Sequence, residues 1–125
     1  MTDGPNTKPY DLADRTLLFA KNTIRFLKRI PRSVANQEIT RQLVRSAGSV
    51  GANYIEASEA LGRKDFALHA KICRKEAKES IYWLQLLDTD NALEEERLAL
   101  AREATELMRI FGSIVVKAES SKPWK

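Results

Sequence analysis

The chain has 125 residues, 43% hydrophobic and 30% charged, which fits one domain with a core of its own and excludes a disordered polymer. Cys73 is the only cysteine, so an intrachain disulfide is excluded and a thiol-ligated metal site is not expected. No apolar run reaches the length of a membrane span, and "MTDGPNTKPY" lacks the charged-then-apolar order of a signal peptide; a cytoplasmic protein with no membrane partner is expected.

The net charge of +4 is uneven. Residues 1–50 carry nine Lys/Arg against four Asp/Glu, and residues 51–125 carry twelve against thirteen. This permits an anionic partner without requiring one.

Strand signals are nearly absent, and four helical segments stand out. The first is predicted over residues 11–30. Asp11 and Asp14 sit in its first turn, its apolar set is Leu12, Leu17, Phe19, Ile24, Phe26, Leu27 and Ile30, and Pro31 ends it. The second, 34–61, carries Ile39, Leu43, Ser46, Val50 and Tyr54 on its inner face, and Gly62 closes it. The third, 63–88, has Phe66, Ala70, Cys73, Ala77, Ser80, Leu84 and Leu87 at bundle spacing. "DTDN" is turn chemistry, with Asn91 and Glu94 as a capping box. The fourth, 92–118, presents Leu93, Leu100, Ala104, Leu107, Phe111, Ile114 and Ala118. Short connections force antiparallel neighbours, so the expected fold is an all-α, up-down-up-down four-helix bundle over residues 10–118. Residues 1–9 and 119–125 read as loose tails.

Inside the second helix, "SAGSVGANYIEAS" places Gly48 and Gly51 where a break would be expected, at about 1 kcal/mol each relative to alanine. However, Gln42, Ser46, Ser49, Asn53 and Glu56 keep a 4-3-4-3 phase across both glycines, which predicts one continuous helix. The small residues would let a neighbouring helix come close. The polar stripe predicts a hydrogen-bonded seam with the third helix, using Glu76 and Glu79, with Arg45 supplying charge.

The stretch "QLVRSAGSVGANYIEASEALGRKDF" resembles the small bundle proteins called 23S rRNA intervening-sequence proteins. The likeness extends through "KEAKESIYWLQLL" and "YDLADRTLLFAKNTIRFLKRIP". Ser46, Asn53, Glu56, Asp65, Phe66, Glu76, Glu79 and Trp83 fall where that family has them, while Gly62 stands where serine is more usual. The resemblance implies a four-helix protomer assembled into a ring-shaped homopentamer. It also implies kinship with the accessory protein of diversity-generating retroelements, a basic pentamer associated with nucleic acid and a reverse transcriptase. Partners implied are therefore the chain itself, RNA or DNA, and a reverse transcriptase or ribonucleoprotein. The family name records where the reading frames lie, not an activity.

Surplus apolar residues beside the main stripes (Ile72, Trp83 and Leu86 on the third helix; Leu98, Ala101, Met108 and Val115 on the fourth) read either as a wide core or as a subunit interface. Two basic stripes are candidates for phosphate binding: Lys21, Arg25, Lys28 and Arg32 from the first helix, and Lys71, Arg74, Lys75 and Lys78 on the third. Either could also be a solvated face. Exposed aromatics that could stack on bases are not evident.

No cofactor is expected: a P-loop would need a strand and a Lys-Ser/Thr beside the glycines. A di-metal carboxylate site would need Glu-x-x-His, whereas Glu56/Glu59 and Glu76/Glu79 lack the histidine. The sole histidine, His69, reads as a helix-surface residue and Cys73 as a small buried hydrophobe. The expectation is a non-catalytic nucleic-acid or ribonucleoprotein accessory factor. A protein-interaction scaffold is the alternative, and a carboxylate-bridged metal enzyme the weakest of the three readings.

Overall fold

The computed structural model describes residues 11–120; the expected N-terminal tail and residues 121–125 lie outside them. The described residues form four α-helices: α1 (Leu12–Leu27), α2 (Val34–Ser58), α3 (Arg63–Leu86) and α4 (Asn91–Ala118), with no strand among them.

Helix α1 starts at Asp11, whose carboxylate accepts from the Asp14 amide at 3.2 Å. Its buried stripe is Leu12, Thr16, Phe19, Thr23 and Phe26. Leu12, Phe19 and Phe26 of the expected apolar set lie on it, whereas Leu17 and Ile24 are 55% and 40% exposed. Two threonines take their place because each hydroxyl donates back to its own helix, Thr16 to the Leu12 carbonyl at 2.7 Å and Thr23 to the Phe19 carbonyl at 2.8 Å. A buried hydroxyl satisfied in this way can line a core. The helix ends at Leu27 rather than Ile30, because the residue before Pro31 is pushed out of the helical region.

Helix α2 is capped by Ser33, which accepts from the Asn36 amide at 3.0 Å, and runs unbroken through both glycines. It stops at Ser58, leaving Leu61 fully exposed in the turn. Gly62 caps α3 with extended backbone and no side-chain bond. α3 itself ends at Leu86, short of the expected Asp88. The Asn91/Glu94 capping box does not form. Asp90 occupies the N-cap position, and Glu94 instead accepts from Thr89 and pairs with Arg97.

Contacts along each interface fix the directions. Asn36 meets Asp88, Ser46 meets Ser80, Val50 meets Cys73 and Asn53 meets His69, so α2 and α3 are antiparallel. Arg15 meets Glu103 and Glu106 while Arg29 meets Glu96, so α1 and α4 are antiparallel too. α2 and α3 pack closely, as do α3 and α4. α1 lies on α2 and touches α4 only lightly; the backbones of the diagonal pairs do not come close, though Tyr54 of α2 reaches Phe111 of α4 across the core, ring centroids 6.0 Å apart.

The core joins Phe19 and Phe26 of α1, Leu43 and Val50 of α2, Leu84 of α3, and Leu107 and Phe111 of α4. An ion-pair cluster bridges α1 and α4: Arg15 donates to both Glu103 oxygens, at 2.7 and 3.0 Å, and to Glu106 at 2.6 Å. The hydrogen bonds that Arg15 donates to Glu103, first, and to Glu106 raise its pKa above the ordinary value.

Candidate nucleic-acid interface

The polar seam between α2 and α3 exists, with a different membership from the expected one. Ser46 and Ser80 are fully buried, and their hydroxyls lie 2.9 Å apart. Each hydroxyl also reaches a carbonyl of its own helix, Ser80 that of Glu76 at 2.9 Å and Ser46 that of Leu43 at 3.3 Å, so either serine can donate to the other. Asn53 donates to the Ser49 carbonyl at 2.9 Å, and its Oδ1 lies 3.2 Å from His69 Nδ1. On the other side of its ring, His69 Nε2 is 3.4 Å from Asp65. His69 is therefore a half-buried seam residue and not the surface residue expected.

Gln42 and Ser49 are half-buried, while Arg45 and Glu56 are exposed on α2 and outside the seam. Glu76 is buried with one carboxylate oxygen lacking a hydrogen-bond partner, and Lys75 Nζ stands 4.0 Å from the other. Glu79 accepts from the Trp83 indole of its own helix at 3.2 Å. Cys73 donates to the Val50 carbonyl at 3.3 Å, and burial pushes its thiol pKa up to about 12. This thiol is a packing group, not a nucleophile.

The two glycines have separate roles. A Cβ on Gly51 would lie 3.0 Å from Thr16 Oγ1 and 3.3 Å from Thr16 Cβ, so Gly51 admits α1. A Cβ on Gly48 would meet open space.

The two basic stripes also separate. Lys21, Arg25 and Lys28 are exposed at the outer side of α1. None has a carboxylate partner among the described residues; Arg25 donates to Asn22 at 3.0 Å. Arg32 is exposed as well, but it lies beyond Pro31 in the α1–α2 turn, so helical spacing does not place it. On α3, Lys71 pairs with Glu119 at 2.6 Å, which also ties down a residue assigned to the tail, and Lys75 approaches Glu76. Arg74 and Lys78 are exposed. Because α1 and α3 are diagonal, the two stripes do not merge into one surface.

Of the surplus apolar residues, Val115 is 4% exposed and belongs to the core rather than to an interface. Ile72, Trp83 and Met108 are half-buried, while Leu86 and Leu98 are 49% and 44% exposed. Leu17, Leu18 and Ile24 form a further exposed apolar group interleaved with the α1 cations. An exposed aromatic is present after all: Tyr82, edge-on to Trp83 with ring centroids 5.0 Å apart.

No group of three His, Cys, Asp or Glu among the described residues is arranged to hold a metal ion. No helix among them is long and apolar enough to cross a membrane.

The model of the 23S rRNA-intervening sequence protein family matches residues 8–113. The chain belongs to that family. It is also similar to a crystal structure of a protein of unknown function from the S23 ribosomal protein family of Bacteroides thetaiotaomicron. The two share 31% identity and a TM-score of 0.68 over 83% of this chain and 94% of that one. No functionally curated protein matches.

Proposed function

We propose that this intervening-sequence protein is a non-catalytic accessory factor for nucleic acid or a ribonucleoprotein, working in the cytoplasm and gripping the phosphate backbone through α1. The supporting observation is electrostatic. Lys21, Arg25 and Lys28 are exposed along α1, and Arg32 continues them into the turn, with no carboxylate facing any of the four among the described residues. Lys71 and Lys75, in contrast, stand beside carboxylates. Backbone binding needs surface cations whose charge is not already spent on the protein, and it carries no sequence preference.

Self-association goes with this reading. Leu86 and Leu98 are half-exposed on α3 and α4, and a ring such as the family resemblance implies would cover apolar surface there and repeat the α1 stripe around an axis. Repetition turns a weak patch into an avid one. The same assembly could act as a scaffold for a protein such as a reverse transcriptase. Leu17, Leu18 and Ile24 on the outer face of α1 favour that second reading.

The test is oligonucleotide binding by fluorescence anisotropy with a Lys21→Glu/Arg25→Glu/Lys28→Glu variant. The accessory-factor reading expects binding to disappear while the helical circular dichroism signal is kept. A wild-type protein with no affinity for RNA or DNA near physiological salt, co-purifying instead with a protein, would transfer support to the scaffold.

A further inference from the structure

The corner where α1 turns into α2 holds a cleft of about 630 Å³. Leu27, Ile30, Pro31 and Val44 supply its apolar lining, Ser33, Asn36, Gln37 and Thr40 its neutral polar lining, and Lys28, Arg32 and Arg41 its cations. Each cation comes from a different element: Lys28 caps the end of α1, Arg32 sits in the turn and Arg41 is on α2. Sequence spacing gives no hint that Arg41 joins the other two; folding α2 back on α1 brings it there. Arg41 touches Glu38 at 3.4 Å, but both side chains are 70% exposed or more, so the pair is solvated and releases its guanidinium easily.

A duplex backbone needs only charge at a surface, and its bases are stacked out of reach. A cleft that sets apolar side chains beside three cations suits something else: an anion that carries a flat apolar body. The volume is in the range of small-ligand pockets. Resting on the nucleic-acid reading above, we infer that this cleft takes an unpaired nucleotide of a single strand. Its phosphate lies among Lys28, Arg32 and Arg41, and its base lies against Leu27, Ile30 and Val44. The outer face of α1 then holds the backbone on either strand type, and the cleft makes the protein prefer single strands.

The test uses fluorescein-labelled single-stranded dT12 and the dT12·dA12 duplex, with anisotropy read at one salt concentration. The expected result is that the single strand binds about tenfold tighter than the duplex, and that Val44→Asn or Arg41→Ala largely closes that gap. Thermal melts establish that the variants fold. Equal affinity for both forms, abolished in both by reversal of Lys21 and Arg25, overturns the cleft and leaves the backbone reading standing. Absence of binding to either form overturns both. Displacement of dT12 by poly-L-glutamate of equal charge, as efficiently as by unlabelled dT12, also overturns the inference, because it makes the cleft a site for acidic polypeptide.

Discussion

Asn36 and Asp88 are joined amide to backbone: Asn36 Nδ2 donates to the Asp88 carbonyl at 2.8 Å, and its Oδ1 accepts from the Asp88 amide at 3.0 Å. The same Nδ2 donates to the Pro31 carbonyl at 2.8 Å. One side chain, 2% exposed, thus pins the α1–α2 turn to the α3–α4 turn. Replacing Asn36 by Asp removes both donated bonds and sets a carboxylate oxygen against two carbonyls. The expected loss is about 2–3 kcal/mol, measured by urea unfolding, since groups left buried and unsatisfied cost more than the net gain of a bond. A loss within experimental error would mean that the turns are held by something other than Asn36.

The glycine pair should respond with opposite signs. Gly48→Ala adds a methyl into open space and gains helix propensity, so stability rises by roughly 0.5–1 kcal/mol. Gly51→Ala gains the same propensity but presses on Thr16, whose hydroxyl is fixed to the Leu12 carbonyl. Overpacking should outweigh the gain and leave a net loss of about 1 kcal/mol. Thermal melts of the two variants decide it; a stabilised Gly51→Ala would show that α1 yields at this contact.

Cys73 gives a pH dependence with a definite sign. Its thiol ionises at 9.0 ordinarily and only near 12 in the fold. Between those values the unfolded chain loses its proton and the folded one keeps it, so unfolding is favoured as pH rises. The contribution is intact below pH 9 and is lost at up to about 1.4 kcal/mol per pH unit towards 12. Other groups titrate in the same range, so the quantity to measure is the stability of wild type relative to Cys73→Ala. It should decline from pH 9 to 11, and thiol reagents at pH 8 should label only the unfolded chain. A flat difference, or rapid labelling of the folded protein, would show that the thiol is reached by solvent.

The legible and illegible parts of this fold differ in kind. The continuity of α2 was readable because the phase of Ser46, Ser49 and Asn53 survives the glycines, and periodicity is a property of one helix alone. The α1 face was misread because residue type stood in for burial. Thr16 and Thr23 are buried and self-satisfied, while Leu17 and Ile24 face outward on a helix with little contact to α4. Partners across helices were beyond reach: nothing in the spacing pairs Ser46 with Ser80, Asn53 with His69, or Asn36 with Asp88. The basic stripe on α1 was visible as far as Lys28. Arg41 was not, because its neighbours in the cleft are set by the turn at Pro31 rather than by any helical repeat.

The α1 stripe is tested most directly by the salt dependence of single-strand affinity. Each phosphate neutralised by a cation adds about 0.7 to the magnitude of the slope of log K against log salt. Replacing Lys21 and Arg25 by alanine should therefore flatten the slope by about 1.4. Replacing Lys71 and Lys75, each beside a carboxylate, should leave it unchanged. A slope that ignores Lys21 and Arg25, or that falls equally for Lys71 and Lys75, would contradict phosphate binding through α1.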